Sequence, residues 1–465
     1  MNNKVKILIS GWCGLDPIGR HGLSFISALI KDDRNLIFFD SDFLRKDTKK
    51  IFADFFPEDY TKIKYSNSQT DKQGYDFLVV TTFVLGVSKS EEWCFKSHKI
   101  KAKKKICYVV FDGTVPPLEW IDEINNNYDM CLSPSNYCAH NLKRHGVNIE
   151  CFGLECVIFM NELLNRPIKT SFNDRYRIGC VSGFEARKNL QFLVKAFSKT
   201  FTKNDNVELY IHARERNSLM LKYIELENLV KDASKTCNII LNKNFVSHQE
   251  MLKIWDSFDA YVIPQTNTGY YTTPVEALAC GLPVILSDIA VHRELTNFVE
   301  EKNNLFFVPH NIKIPEYHYA YDFRNIGVGF TAKEDDYAKI FKTVFAQREF
   351  LRNVNLQEKR KEMVKCFTPN RLKETYEKIF HSAIIPKKEE IFYEEELDSD
   401  FKAIEKCAIS SQQIYLAQKN QLSYATRKYL TKIQSLAMKK DVSITLPLFY
   451  RLMKICSVIK KRKCK

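Results

Sequence analysis

The chain has 465 residues, of which 45% are hydrophobic and 27% charged, with 70 basic and 56 acidic side chains for a net charge of +14. This balance excludes a disordered chain, and the length excludes a single ordinary core, so two domains and an appendage are expected. No run reaches the ~20 apolar residues of a membrane span, and the start "MNNKVKILISGWCG" reads as a first strand rather than a secretory leader, so a cytoplasmic protein is expected.

In chain order, "KVKILIS", "NLIFFD", "DFLVVTTFV", "KICYVVFD" and "DMCLSPS" read as apolar strands ending in small or polar residues, the pattern of parallel strands buried on both faces. "GLSFISALIK" between the first two spaces Leu23, Ile26, Leu29 and Ile30 along one helix face. "NYCAHNLKRHGV" reads as a helix stopped at Gly146. A second alternation begins near residue 174 with the strand "YRIGCVSG" and the helix "NLQFLVKAFSKTF". The strands "VELYIHA", "NIILNKNF", "AYVIP" and "PVILSD" follow, interleaved with helices. The expected architecture is α/β, with two doubly wound, Rossmann-like domains facing a cleft, at residues 1–165 and 174–368. A closing helix is expected at 369–384, a charged linker at 385–403, and a basic amphipathic helical tail at 404–465, where Leu422, Tyr429 and Leu436 recur seven apart.

The basicity belongs to that tail. Lys406 to Lys465 hold fourteen Lys and Arg against Asp441, which leaves 56 basic and 55 acidic residues in 1–405. Such a segment suits an anionic membrane surface, or packing on the body and oligomer formation; no nucleic-acid motif accompanies it. The fourteen cysteines are scattered singly, and Cys131, Cys138, Cys151 and Cys156 lack the paired spacing of a zinc site, so buried thiols and no metal are expected. Asp40-Ser41-Asp42 and Asp398-Ser399-Asp400 read as solvated acids.

The chemistry concentrates in "NTGYYTTPVEALACGLPVILSDIAVHREL" (267–295). A polar, glycine-containing loop leads from a strand into a helix opening at about Pro274, where unpaired N–H groups and the helix dipole suit a phosphate. Glu276, in that first turn, suits two ribose hydroxyls or merely complements the dipole.

This stretch, together with "GFEARKNLQFLVKAF" and "SPSNYCAHNLKRHGV", resembles the family-four glycosyltransferases, the glycosyl transferases group 1, over residues 1 to about 383 and most strongly over 174–300. The resemblance implies the GT-B fold and transfer of a sugar from a nucleotide-sugar co-substrate to a glycan or lipid-linked acceptor, with retention and without a bound metal or cofactor. It places cell-surface polysaccharide or lipopolysaccharide synthesis on the inner face of the plasma membrane. Lys188 matches the lysine that binds the donor diphosphate, and Glu276 the last glutamate of the family's E-x7-E motif. The family's partner arginine falls at Ser182; Arg187 either replaces it or is a solvated surface charge. The first glutamate of the motif is Thr268 here, and the loop proline is displaced by one position. Gly269, Tyr270, Tyr271 and Thr272 then remain to meet the sugar or phosphates, with ordinary packing the alternative for both tyrosines. On the first domain, "GLDPIGRHGLS" resembles the family's first glycine-rich loop and lacks G-x-G-x-x-G. Gly19, Arg20 and His21 are expected to face the cleft, as are Asp112, Gly113 and Thr114 in "FDGTVPPLEW", a region where many relatives carry a histidine and this segment has none. His292-Arg293-Glu294 is expected to shape the loop after "PVILSD", with Glu294 as a helix cap. Two other readings stay open: a degenerate scaffold that has lost the acid at Thr268 and the arginine at Ser182, and a sugar-nucleotide epimerase.

Overall fold

Seven parallel strands form the first sheet in the order β3-β2-β1-β4-β5-β6-β7. They are β1 (Val5–Ser10), β2 (Asn35–Asp40), β3 (Lys64–Ser66), β4 (Tyr75–Val80), β5 (Ala102–Tyr108), β6 (Met130–Ser133) and β7 (Glu150–Gly153). Six more form the second sheet in the order β10-β9-β8-β11-β12-β13: β8 (Tyr176–Gly183), β9 (Val207–Arg214), β10 (Ile239–Asn242), β11 (Ala260–Ile263), β12 (Val284–Asp288) and β13 (Leu305–Pro309). The computed structural model describes residues 4–11, 13–14, 17–67, 74–81, 100–154, 159–214, 220–318, 324–382 and 397–418. The heptad residues Leu422, Tyr429 and Leu436 lie outside them.

Both sheets have the doubly wound plan expected from the buried strand runs. Every residue of β11 is buried, as are the last four of β1, because helices cover both faces. Cys107, Cys131 and Cys151 stand side by side in the register of β5, β6 and β7 as buried free thiols. Among the helices are α1 (Pro17–Leu29), α2 (Leu118–Asn127), α3 (Asn136–Arg144), α4 (Leu190–Thr200), α5 (Thr272–Ala279) and α6 (Glu334–Ala346). Gly146 takes φ +112°, a left-handed stop that a side chain would strain, just beyond α3.

Two features interlock the domains. The helix α7 (Pro369–Glu377) and the turn after it return to the first domain, where Tyr376 stacks on Phe25 at 4.9 Å and Phe380 meets Phe77 edge-on at 4.7 Å. Between β13 and α6, the chain forms an antiparallel hairpin of β14 (Ile312–His318) and β15 (Arg324–Thr331) that sequence reading does not anticipate. The last described helix, α8 (Ser399–Gln418), lies on this hairpin. It starts inside the stretch expected as linker, because Asp398 accepts the N–H of Phe401 and pairs with Lys313 of β14.

Both acidic triplets therefore need correction. Asp40 is 1% exposed and accepts the Ser10 hydroxyl at 2.8 Å, and Asp398 caps α8; neither is simply solvated.

Candidate functional site

The site lies where the carboxyl ends of the two sheets meet, the position at which open α/β sheets collect ligands. After β8 the chain makes one tight turn, Ala186–Lys188, and Asn189 enters the left-handed region (φ 54°) before α4 begins. This turn aims Lys188 at the junction between the domains. Burial and the neighbouring Arg187 push the Lys188 ammonium down to about 8.

Arg187 is buried rather than a solvated surface charge. Its guanidinium bridges Asp112 of the first domain and Glu185, each at 3.0 Å. Burial works to raise both carboxyls, yet the Arg187 charge, helped by His318 and Lys188, holds them below the usual carboxylate range. His318 comes from the hairpin, with Nε2 3.5 Å from Asp112 and 3.6 Å from Glu185. A histidine thus reaches the "FDGTVPPLEW" segment from some 200 residues downstream.

The loop between β11 and α5 is gripped from three sides. Thr266 receives an N–H bond from Phe330 of β15 and donates its own N–H to the carbonyl of Arg187, at 2.7 and 2.9 Å. Asn267 donates to the Val328 carbonyl at 2.8 Å. Thr268 is 4% exposed, its hydroxyl turned back to the Tyr270 carbonyl at 3.0 Å. The N–H of Gly269 donates to Asp112 at 2.8 Å, and its carbonyl accepts the Ser135 hydroxyl at 2.6 Å. A Cβ on Gly269 would lie 2.2 Å from the Phe111 carbonyl oxygen, so the backbones of the two domains touch here. Tyr270 and Tyr271 are packed into the core with ring centroids 4.6 Å apart. Thr272 opens α5, earlier than the expected Pro274, and is partly buried.

A second cluster forms around Glu276, one turn into α5. Its carboxylate is buried and accepts from Arg20 of α1 at 2.8 Å, while the Arg20 guanidinium lies 4.6 Å over the Phe159 ring. Burial raises the Glu276 carboxyl and Arg20 draws it back, with the net shift upward. His21 bonds the Tyr108 hydroxyl through Nδ1 at 3.0 Å. Gly19 lets α1 approach Gly14, where a Cβ would fall 2.4 Å from the Gly14 nitrogen. Thr114 bonds the hairpin twice, by its N–H to Ile326 and its hydroxyl to the Val328 N–H, both at 3.0 Å. Gly113 lies against the hairpin, where a Cβ would fall 2.4 Å from the Ile326 carbonyl oxygen. Ser182 bonds only locally, to the Gly183 carbonyl at 3.1 Å.

The residues selected from sequence thus fall into two adjoining clusters, one around Lys188 and one around Glu276, joined by the loop from Thr266 to Tyr271. Sequence reasoning does not reach Glu185, Ser135 or His318. Nor does it find the target of Glu294, which accepts the N–H groups of Asn136 and Tyr137 and so caps α3 across the domain boundary. The alternating glycines of "NIGVGFT" are the available signal for the hairpin, since glycine in a strand often marks a close backbone approach. Among the described residues no group of His, Cys, Asp or Glu is arranged to hold a metal ion.

Residues 175–314 match the family described as "Glycosyl transferases group 1". The capsular polysaccharide biosynthesis glycosyltransferase CapM of Staphylococcus aureus is 23% identical over 180 residues, 36% of this chain and 43% of that protein. A glycosyltransferase of Sulfolobus islandicus rod-shaped virus 1 is 21% identical over 192 residues, 39% of this chain and 54% of its own. The chain therefore spans about half the length of the curated relatives it matches. HepE of Anabaena, solved with UDP and glucose, superposes with a TM-score of 0.60 at 14% identity, covering 81% of this chain and all of its own. Apo OtsA superposes at 0.57 and 10% identity, over 82% of this chain and all of its own. The segment that matches this family contains both Lys188 and Glu276, and the chain as a whole has the two facing parallel-sheet domains of the GT-B fold that these solved structures share.

Proposed function

We propose that the protein is a retaining glycosyltransferase that moves a sugar from a nucleotide-sugar to a glycan or lipid-linked acceptor in cell-surface polysaccharide or lipopolysaccharide synthesis. The observation that carries this reading is the placement of Lys188 and Glu276 at the carboxyl ends of neighbouring strands, facing the first domain. Lys188 is the diphosphate ligand in this reading. A cation held in a partly dry site stabilises the charge that gathers on the nucleotide as the glycosidic bond breaks. Glu276 takes the ribose, with Arg20 holding its carboxylate in place. The acceptor enters along the first domain past Arg20 and His21, while Asp112 and Thr114, buried against Arg187, Gly269 and the hairpin, support the wall behind them. The departing phosphate assists attack on the same face of the sugar, which retains the anomeric configuration. HepE, which has the same fold, was solved with UDP and glucose, and that supports a uridine nucleotide as the first donor to try. The tail brings the enzyme to the inner face of the plasma membrane or joins copies of it.

One observation favours a second reading, a binding protein without catalysis. Asp112 and Glu185 already occupy the Arg187 charge, and Asp112 takes the Gly269 N–H.

The test is thermal stabilisation by UDP, GDP, ADP and CMP and their sugars, in wild type and Glu276→Ala. At a hundred times the dissociation constant, binding adds about 2.7 kcal/mol to stability and moves Tm by a few degrees. A shift with one nucleotide, lost in the variant, followed by transfer of its sugar supports the enzyme. A shift without transfer to any acceptor supports the binding protein, and isomerisation of donor alone supports an epimerase. An inverted product anomer, read by NMR, overturns retention.

A further inference from the structure

A single carboxylate of the first domain touches three segments of the second. Asp112 accepts the Gly269 N–H through Oδ1 at 2.8 Å and pairs through Oδ2 with the Arg187 guanidinium at 3.0 Å. His318 Nε2 stands 3.5 Å from that same Oδ2. Gly269 lies in the loop that runs into α5 and Glu276, and Arg187 directly precedes Lys188 in the turn after β8. β8 and β11 are neighbours in the second sheet. The two segments that leave them therefore converge on one side chain of the opposite domain.

That side chain stands on a pinned backbone. On one flank the Phe111 carbonyl is packed against Gly269; on the other Gly113 lies against Ile326, and Thr114 bonds both Ile326 and Val328. Asp112 is also buried, so the second-domain segments conform to it. Arg187 is the tie between them. Its carbonyl accepts the Thr266 N–H at 2.9 Å, Nη1 reaches the Asn267 carbonyl at 3.4 Å, and Nη2 meets Asp112 and Glu185 at 3.0 Å each. Two carboxylates already satisfy this one guanidinium in a buried setting. Its charge is thus committed to holding the turn and the loop together, and the phosphates fall to Lys188.

We propose that Asp112 is a positioning residue that couples closure of the two domains to the placement of Lys188 and Glu276, acting through Arg187 and Gly269. The inference rests on the reading of Lys188 and Glu276 as donor ligands and adds how the first domain governs them. When the domains part, the Lys188 turn and the loop into α5 lose a shared anchor together. When they close, both are set at once.

The test uses the full chain in two arms. Asp112→Asn keeps the size and an oxygen for the Gly269 N–H while removing the charge, and Asp112→Ala removes both. Ile37→Ala, in the buried core of β2, controls for loss of stability alone. Without ligand, hydrogen exchange is followed by mass spectrometry at 185–189 and 266–271, where the amides of Lys188, Asn189, Thr266 and Gly269 donate within the protein. Both segments are expected to exchange at least about tenfold faster in Asp112→Ala, and by less than about twofold in the control. Faster exchange in one segment alone, in neither, or equally in the control overturns the proposal.

The second arm uses as its probe whichever of UDP, GDP, ADP and CMP moves Tm, in a double-mutant cycle of Asp112→Asn and Arg187→Gln. Each single change is expected to weaken binding about tenfold, and the pair also about tenfold, because both cut the same tie. Losses that multiply to about a hundredfold, or tighter binding in Asp112→Asn, would make Arg187 an independent phosphate ligand and overturn the coupling. Unchanged affinity in Asp112→Asn with a lowered Tm would leave Asp112 a merely structural residue and overturn it too. A wild type that binds no nucleotide overturns the donor reading instead, and the exchange arm then decides the coupling alone.

Discussion

Arg20 of the first domain and Glu276 of the second meet across the cleft at 2.8 Å, with Phe159 beneath the guanidinium. Glu276 is the more buried partner, so Arg20→Ala leaves a carboxylate without its cation in a dry site, while Glu276→Ala leaves a cation that water still reaches. Discounted for the partial exposure of Arg20, the first change is expected to cost about 1–3 kcal/mol in urea unfolding, and the second less. Equal costs would show that solvent, and not Arg20, sustains the Glu276 charge.

Lys188 gives a pH signature in two opposed readouts. Its ammonium titrates near 8 in the folded protein and near 10.5 in the unfolded chain. Nucleoside diphosphate affinity is therefore expected to weaken as pH rises through about 8. Between about 8 and 10.5 the unfolded chain binds more protons, so this group's contribution to stability rises with pH over the same window. Lys188→Arg should flatten the binding profile, as arginine does not titrate there. Calorimetric titration of UDP between pH 6.5 and 9.5 checks it; an unchanged slope in the arginine variant would assign the effect to another group.

Gly269→Ala puts a methyl group 2.2 Å from the Phe111 carbonyl oxygen, a backbone atom that cannot swing away. The domains must part, breaking the Gly269–Asp112 and Ser135–Gly269 hydrogen bonds. A loss of about 1–3 kcal/mol is expected, as for overpacking elsewhere. Gly74→Ala, where an added Cβ meets nothing within 4 Å, serves as the control and should stay within about 0.5 kcal/mol.

The helix α8 is fixed by Arg144, which reaches both Glu405 oxygens at 2.7 Å, and by Gln412, which bonds Leu118, Val115 and Asn325 at once. Burial works to raise the Glu405 carboxyl, but Arg144 prevails and draws it down to about 2. A carboxyl lowered on folding stabilises fully above its unfolded value, and that stability is lost as pH falls from about 4.5 toward 2. Glu405→Gln should detach α8 near neutrality at a cost of about 1.5–3 kcal/mol and abolish this acid dependence. Hydrogen exchange at the Leu118 amide, which donates to Gln412, reports the release.

The two sheets were legible because each buried strand carries its own apolar run. β3 has only three residues, and β7, "ECFG", carries just Cys151 and Phe152 between a charge and a glycine, so neither shows an apolar run. β14 was hidden by Pro315, the charges of Lys313 and Glu316, and a register shift beside the proline, all of which argue against a strand. At the site, Lys188 and Glu276 could be read because each belongs to a local motif. The bond from Gly269 to Asp112 joins residues 157 apart, and His318 reaches Asp112 only through the hairpin, so neither leaves a local trace in sequence.

The return of α7 to the first domain bears on synthesis of the chain. Leu372, Tyr376, Ile379 and Phe380 complete the core that β1, β2 and α1 begin. A ribosome that has finished β7 must add some 200 more residues before those side chains emerge. At ~5–20 residues per second, that leaves an apolar face uncovered for roughly 10–40 s. For that interval the nascent first domain is a client for holding chaperones, and its maturation waits on the completion of its neighbour.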